Sequence, residues 1–160
     1  MIAVPGRMQA IANTLGLQVV VDYAHTPDAL EKALCALRVH TTGKLIVVFG
    51  CGGDRDAGKR PVMGRIASEL SDLVILTSDN PRTEDPALIL RDIEAGCTGS
   101  IESVEDRAEA IAQAILVASP GDCVLIAGKG HEDYQMVEGQ RLHFSDAQHS
   151  AVILAKRAAL

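Results

Sequence analysis

The sequence predicts an open α/β domain whose mainly parallel sheet is covered by helices on both faces. Four segments are nearly continuous runs of Val, Ile and Leu, which is typical of strands that are buried on both faces. Amphipathic helix patterns alternate with these strands along the chain. A polar segment directly follows each of the four strands, at the sheet edge where open α/β sheets bind their ligands. These observations indicate a Rossmann-like architecture in a single domain of 160 residues.

The predicted strands include weaker ones beside the four strong ones. A short strand pattern precedes the fourth helix, and two segments joined by Glu138-Gly139-Gln140 predict an antiparallel hairpin at one edge of the sheet. The predicted strands are residues 18–22, 44–50, 72–78, 101–103 and 122–127, with hairpin strands at 134–137 and 141–144.

Five helices are predicted from apolar residues at helical spacing and from the residues that begin helices. Proline is favoured in the first turn, and Ser or Asp is favoured as the preceding cap. The expected starts, in chain order, are Pro27, Pro61, Asp85 with Pro86, the capping pair Ser103 and Asp106, and Ser145.

The composition excludes several classes of protein. Lys and Arg number 15 and Asp and Glu number 21, which gives a net charge of −6. An acidic chain with 2% aromatic residues and no Trp lacks the charge and the stacking surfaces of a general nucleic-acid binder. The longest apolar runs are too short to span a bilayer, and polar residues interrupt residues 1–20, where a signal peptide would lie. We therefore expect a cytoplasmic protein with no membrane or nucleic-acid partner.

The four cysteines have neither CxxC pairing nor the spacing of metal ligands, and no metal site is predicted. The simplest interpretation is a reducing compartment in which the thiols stay free and pack as small apolar groups. Disulfide formation in an oxidising compartment is the alternative.

The segment 50–60 has the glycine content of a phosphate-binding loop but fits neither common template. Arg55 stands at the third glycine position of GxGxxG, and Arg60 stands where GxxxxGK[ST] needs a Mg²⁺-binding hydroxyl. Asp54 and Asp56 would also place two carboxylates beside the phosphates. We interpret the segment as a flexible loop that presents Arg55 among acids, a combination suited to a zwitterion. A glycine-rich turn with solvated charges is the alternative.

Two further segments carry groups suited to binding an amino acid. In Asp79-Asn80-Pro81-Arg82, the proline restricts the backbone on both sides, which would hold the neighbouring polar groups firmly. A guanidinium fixed in this way binds a carboxylate through two hydrogen bonds. In residues 128–132, two glycines permit close backbone approach and Glu132 can hold an ammonium group. The alternatives are a turn before a helix with Arg82 in a surface ion pair, and a structural role for His131.

Four motifs occur in an order that resembles one enzyme family. They are VDYAHTPD at 21–28, GCGGDRD at 50–56, DNPR at 79–82 and GKGHE at 128–132. Together they resemble the C-terminal domain of the Mur ligases, and more narrowly the branch that adds meso-diaminopimelate to UDP-N-acetylmuramoyl-L-alanyl-D-glutamate in peptidoglycan synthesis. The resemblance covers essentially the whole chain. Its most specific part is DNPR, which in this family marks the addition of diaminopimelate rather than lysine.

The resemblance implies two sets of binding residues. Near ATP it places Arg7 as an interdomain-linker arginine, Asp22 as the ribose-binding residue, and Tyr23 and His25. From its position alone, Asp22 is also suited to capping the next helix. Gln9 departs from the usual Glu of the family, which concerns the linker and not the amino-acid site. The residues expected to contact diaminopimelate are Arg55, Asp79, Asn80, Pro81, Arg82, Gly128 and Glu132.

The resemblance further implies that residues 1–160 are the C-terminal, amino-acid-binding domain of a three-domain ligase, without its UDP-sugar and ATPase domains. No P-loop ending in GKT or GKS occurs, so the chain alone is expected to hold no catalytic residue and to be inactive. In the full enzyme, ATP would phosphorylate the D-glutamate γ-carboxylate, and an amine of diaminopimelate would attack the acyl phosphate. The central domain would hold most of the ATP and Mg²⁺. The alternative is a free-standing Rossmann-like module that binds an amino acid or an anion.

Overall fold

The computed structural model describes residues 6–160, which form a six-stranded sheet, a separate two-stranded sheet and five helices. In chain order the elements are β1 (Gln9–Ala10), β2 (Gln18–Asp22), α1 (Pro27–Val39), β3 (Leu45–Phe49), α2 (Lys59–Leu70), β4 (Leu73–Leu76), α3 (Pro86–Glu94), β5 (Ile101–Ser103), α4 (Arg107–Val117), β6 (Cys123–Ala127), β7 (Tyr134–Val137), β8 (Gln140–His143) and α5 (Asp146–Ala158). Strands β2, β3 and β4 are each followed by a loop and then a helix, and strand β6 is followed by a loop and then the hairpin.

The main sheet has the strand order β1-β2-β6-β3-β4-β5. Strands β2 to β6 pair in parallel, and β1 pairs antiparallel with β2 at one edge. All residues of β3 and β6 are buried, which explains why these segments lack polar alternation. Helices α1, α2 and α3 cover one face, and α4 and α5 cover the other, each over its own apolar core. The predicted fold class is confirmed.

The hairpin is present, but its predicted place at the sheet edge is wrong. Strands β7 and β8 form a sheet of their own. They follow β6, which lies in the middle of the main sheet, so the chain emerges over the carboxyl edge and not beside an edge strand. The turn also has two residues instead of three, because Glu138 and Gly139 both adopt the left-handed backbone (φ 48° and 77°) that suits a tight hairpin.

The helix starts follow the predicted chemistry with two corrections. Helix α2 begins at Lys59, two residues before the predicted start at Pro61, and has no side-chain cap. The side chain of Asp106 caps α4 by accepting a hydrogen bond from the Glu109 amide, whereas Ser103 lies in β5 and caps nothing. Thr26 caps α1, so Asp22 does not have the capping role. Within residues 6–160, no helix combines the length and the apolar character needed to cross a bilayer.

The four thiols are free, and Cys35 is the exposed one. Burial raises the pKa of the Cys51 thiol to about 12. The protonated thiol therefore packs as an apolar group in the core beneath the carboxyl edge.

Candidate functional site

A cavity of about 360 Å³ lies at the carboxyl edge of the sheet, where the four polar segments meet. Because β2, β3, β4 and β6 are parallel, the loops that follow them leave the sheet on the same side. The cavity carries both signs of charge. Its lining is Tyr23, His25, Gly52, Arg55, Asp56, Lys59, Asp79, Asn80, Arg82, Gly128 and Glu132.

The structure brings together most of the residues predicted for the amino-acid site. Every one of them except Pro81 lines the cavity, and Tyr23 and His25 of the predicted nucleotide set line it as well. Pro81 instead lines a larger depression of about 730 Å³, which hairpin residues such as Gln135 and Val137 also line. That depression contains none of the other predicted residues, so the smaller, charged cavity is the better candidate site.

Three lining residues were not predicted as site residues. Gly52 and Asp56 belong to the glycine-rich loop that also supplies Arg55, and Lys59 is the first residue of α2, which follows that loop. The Lys59 ammonium donates a hydrogen bond of 2.9 Å to the carbonyl of His25, which joins the loops after β2 and β3. These three residues could have been predicted from the sequence, because they belong to the segment 50–60 that supplies Arg55 to the predicted site.

The glycines of this loop serve close packing against the segment 79–82. The Gly53 amide donates to the Asn80 carbonyl at 2.8 Å, and the Gly53 carbonyl accepts from Arg82 Nη1 at 2.8 Å. A Cβ at position 53 would lie 1.9 Å from the carbonyl oxygen of Pro81. Only glycine therefore fits here, and the reason is contact between two loops.

Side chains anchor the same loop to residues 83 and 84. The Asp54 carboxylate accepts from the Thr83 hydroxyl at 2.7 and 2.8 Å, and these bonds lower the pKa of Asp54. Arg60 is buried, and its guanidinium donates to Glu84 and to the Gly52 carbonyl at 3.0 and 3.1 Å. Arg60 at the place of the missing Mg²⁺-binding hydroxyl thus holds the loop together.

The hairpin shapes the turn that presents Arg82. The Arg82 amide donates to the Met136 carbonyl at 3.0 Å, and the Arg82 carbonyl accepts from the Glu138 amide at 2.9 Å. These bonds hold Arg82 in the left-handed backbone conformation, with φ of 53°. Within residues 6–160, its guanidinium uses only Nη1 for hydrogen bonds, to the carbonyls of Gly53 and Asn80. The remaining guanidinium donors are available at the cavity.

Lys129 lies buried behind Asp79 and Asn80, which line the cavity. Its side chain is fully buried, and its ammonium lies 3.0 Å from Asp79 Oδ1 and 2.8 Å from Asn80 Oδ1. It also donates to the Tyr134 carbonyl at 2.9 Å. Burial lowers the pKa of Lys129, and the Asp79 carboxylate opposes that shift. Lys129 belongs to the GKGHE motif at 128–132, but its role was not predicted from the sequence.

A second buried ion pair lies beneath the same edge. Arg107 and Asp146 are joined by two hydrogen bonds of 2.8 Å, and both side chains are completely buried. The same guanidinium donates to the carbonyls of Ser78 and Ala127, which follow or end β4 and β6. The pair therefore ties the two strands that carry the 79–82 and 128–132 segments to the first turn of α5.

Glu132 supplies a carboxylate at the cavity rim. Its Oε2 accepts from the Tyr134 hydroxyl at 3.2 Å, and the negative charge of Glu132 raises the pKa of Tyr134. Gly128, with φ of 120°, begins this segment and donates its amide to the Asp22 carbonyl at 3.0 Å. The left-handed backbone there explains the glycine.

The predicted nucleotide residues lie together around the end of β2, and of the four only Tyr23 and His25 line the cavity. The Arg7 guanidinium lies 5.6 Å from the centre of the Tyr23 ring, and His25 meets that ring edge-on at 4.6 Å. The Asp22 carboxylate accepts from the amides of Met8 and Ala24 at 2.8 and 2.9 Å. Asp22 therefore joins the segment around Met8 to the end of β2. Pro5, which precedes Gly6 and Arg7 in the sequence, lies outside the described residues.

The cavity is chemically suited to a zwitterion. Arg55, Lys59 and Arg82 can bind carboxylates, while Asp79 and Glu132 can bind ammonium groups. Among residues 6–160, no group of three or more His, Cys, Asp or Glu side chains is arranged to hold a metal ion.

The family model described as "Mur ligase, glutamate ligase domain" matches residues 6–130 of this chain. The chain belongs to the Mur ligase family. A UDP-N-acetylmuramoyl-L-alanyl-D-glutamate–2,6-diaminopimelate ligase from Gloeobacter violaceus is 57% identical over 157 residues, which are 96% of this chain and 32% of the relative. The ligase of the same name from Vibrio parahaemolyticus is 54% identical over 151 residues, 93% of this chain and 31% of the relative.

Solved structures show the same relationship. The structure of a UDP-N-acetylmuramoyl-L-alanyl-D-glutamate–2,6-diaminopimelate ligase superposes with a TM-score of 0.92 and 46% identity, over 99% of this chain and 33% of that one. The UDP-N-acetylmuramate–alanine ligase of Thermotoga maritima has a TM-score of 0.63 at 19% identity and shares the fold. The chain spans about a third of the length of the curated relatives that it matches.

Proposed function

We propose that this chain is the amino-acid-binding domain of an ATP-dependent ligase that adds meso-diaminopimelate to UDP-N-acetylmuramoyl-L-alanyl-D-glutamate. The observation that carries the proposal is the 360 Å³ cavity, which is lined by donors from Arg55, Asn80 and Arg82 and by the carboxylates of Asp79 and Glu132. Diaminopimelate has an ammonium and a carboxylate at each end. A cavity with several donors and several carboxylates matches that pattern, whereas lysine would leave one carboxylate-binding position empty.

The proposed roles follow from the hydrogen bonds that each group has left to give. Arg82 has one guanidinium nitrogen bound to loop carbonyls, so its other donors would bind the distal carboxylate of the ligand. Arg55 is exposed, and only its Nη1 atom donates within the described residues, to the Asp54 carbonyl. Its other donors would bind a second carboxylate of the ligand. Glu132 and Asp79 would hold ammonium groups. The domain then contributes by positioning the attacking amine, which is an effect of orientation.

Binding of ATP is proposed next to the amino-acid site, at the part of the cavity that Tyr23 and His25 line. Arg7 would lie near the phosphates, Asp22 near the ribose, and Tyr23 and His25 near the nucleotide. The exposed cation beside an aromatic ring fits an anionic, stacking ligand. Most contacts to ATP and Mg²⁺ would come from the part of the ligase outside this chain. The 160-residue chain alone is therefore expected to have no ligase or ATPase activity. The cytoplasmic location also stays a prediction.

The proposal is tested by calorimetric titration of the chain with meso-diaminopimelate, lysine and ATP in separate experiments. Diaminopimelate should bind more tightly than lysine, and ATP should bind weakly. In the full-length ligase, Asp22→Ala should raise the KM for ATP more than the KM for diaminopimelate. Equal affinity for the two amino acids would contradict the proposed substrate. A reading frame that lacks an upstream P-loop domain would favour the alternative of a free-standing binding module.

A further inference from the structure

The side-chain amide of Asn80 has a defined orientation, in which Oδ1 is bound within the protein and Nδ2 is left for the cavity. Its Oδ1 atom lies 2.8 Å from Lys129 Nζ and 2.9 Å from the amide nitrogen of Met136. Both neighbours are donors that cannot accept a hydrogen bond, so the atom between them must be the oxygen. The Nδ2 group has no protein acceptor within residues 6–160, and Asn80 lines the cavity. The side chain therefore offers N–H donors to a ligand.

From this arrangement we propose that Lys129 is a positioning residue that sets the polarity of Asn80 and makes this position selective for a ligand carboxylate. This deepens the proposed function, on which the identity of the ligand rests. Lys129 is fully buried and does not line the cavity, so it acts through its neighbours. If Asn80 turned over, its oxygen would face the ligand and would repel a carboxylate.

The remaining contacts of Lys129 keep its ammonium in place. It donates to the Tyr134 carbonyl at 2.9 Å and pairs with Asp79 Oδ1 at 3.0 Å. One side chain thus joins the turn after β4, the loop after β6 and the first residue of the hairpin. Met has nearly the length of Lys and lacks all of its donors. Lys129→Met therefore removes the orienting group without leaving a large cavity.

The first measurement needs no ligand. In ¹⁵N spectra of the chain, the Asn80 side-chain amide pair is identified by its absence in Asn80→Asp. In Lys129→Met this pair should shift and broaden, because one of the two donors that hold Oδ1 is gone. The matched control Lys44→Met removes an exposed lysine and should leave the pair unchanged. An unaltered pair in Lys129→Met would overturn the proposal.

The second measurement is a double-mutant cycle on the affinity for meso-diaminopimelate. Lys129→Met should weaken binding about tenfold, equivalent to about 1.4 kcal/mol. In the Asn80→Ala background, the same change should weaken binding by a clearly smaller factor, because Asn80 is absent and only the loss of the Asp79 and Tyr134 partners remains. Independent effects that multiply would overturn the proposal. Ile115→Ala, a core change remote from the cavity, controls for loss of stability alone.

Asn80→Asp decides the question if Lys129→Met does not fold. Aspartate keeps the acceptor for Lys129 and Met136 and replaces the N–H donors with a second acceptor. Diaminopimelate should then bind at least tenfold more weakly, and undiminished binding would overturn the proposal. If the unaltered chain binds no diaminopimelate, the proposed function fails, and the Asn80 amide signals still decide the role of Lys129.

Discussion

The buried pair Arg107–Asp146 allows a sharp test of what holds the site in place. Arg107→Met removes a guanidinium that donates to Asp146 and to the carbonyls of Ser78 and Ala127. Asp146 would remain as an unpaired carboxylate in a completely buried position. Removing one partner of a buried ion pair costs about 3–5 kcal/mol.

The position of each charge ranks the variants. Asp146 is the first residue of α5, where the helix dipole stabilises a negative charge by about 0.3–1 kcal/mol. Arg107→Met should therefore fall at the lower end, with a loss of about 3 kcal/mol in unfolding free energy. Asp146→Leu leaves a buried guanidinium without that compensation and should cost more. The double variant should cost less than Asp146→Leu, because no unpaired charge remains.

Urea unfolding of the unaltered chain, the two single variants and the double variant measures these differences in unfolding free energy. Arg65→Met is the matched control, because Arg65 pairs with Glu69 at 3.9 Å on the surface and its side chain is 59% exposed. That variant should change the unfolding free energy by less than about 1 kcal/mol. If Arg107→Met lost no more than the control, or if the two single losses simply added in the double variant, the reasoning about buried charge would be refuted.

Three further predictions concern the cavity and its loop. In the full-length ligase, Arg82→Ala should lower kcat/KM for diaminopimelate at least about thirtyfold while leaving the low lysine rate nearly unchanged, and Arg82→Lys should not restore it. A loss of less than about threefold in Arg82→Ala would remove Arg82 from the substrate site. The lowered pKa values of Asp54 and Glu84, caused by hydrogen bonds from Thr83 and Arg60, mean that their stabilisation is present above the ordinary carboxyl pKa and is lost as the pH falls through the lowered values. The urea midpoint should therefore drop below about pH 4, and Glu84→Gln should flatten that drop; an identical pH profile would contradict this. Gly53→Ala should weaken diaminopimelate binding and cost about 1–3 kcal/mol of stability, since its Cβ would lie 1.9 Å from the Pro81 carbonyl oxygen. Gly58→Ala, at a helical backbone position, serves as its control, and equal effects of the two would argue against the packing role of Gly53.

The sequence by itself determined the fold class and the place of the site. Runs such as Leu45–Phe49 and Cys123–Ala127 are apolar on both faces, and a strand of that kind is stable only inside a covered parallel sheet. Parallel strands bring their following loops to one edge. The convergence of Arg55, Asp79, Arg82 and Glu132 on one cavity was therefore predictable from their positions along the chain.

Only the tertiary structure decided which charges bind each other and which remain for a ligand. Arg60, Arg107 and Lys129 look like ordinary basic residues in sequence, yet each is buried and bound to partners at least 20 residues away, such as Glu84, Ala127 and Asn80. The hairpin was predictable, but its position over the turn of Arg82 was not. Local propensity is set by neighbouring residues, whereas the partner of a buried charge depends on which distant segments the sheet order brings together. That physical difference is why the strands could be derived from pattern, and the roles of Lys129 and Arg107 could not.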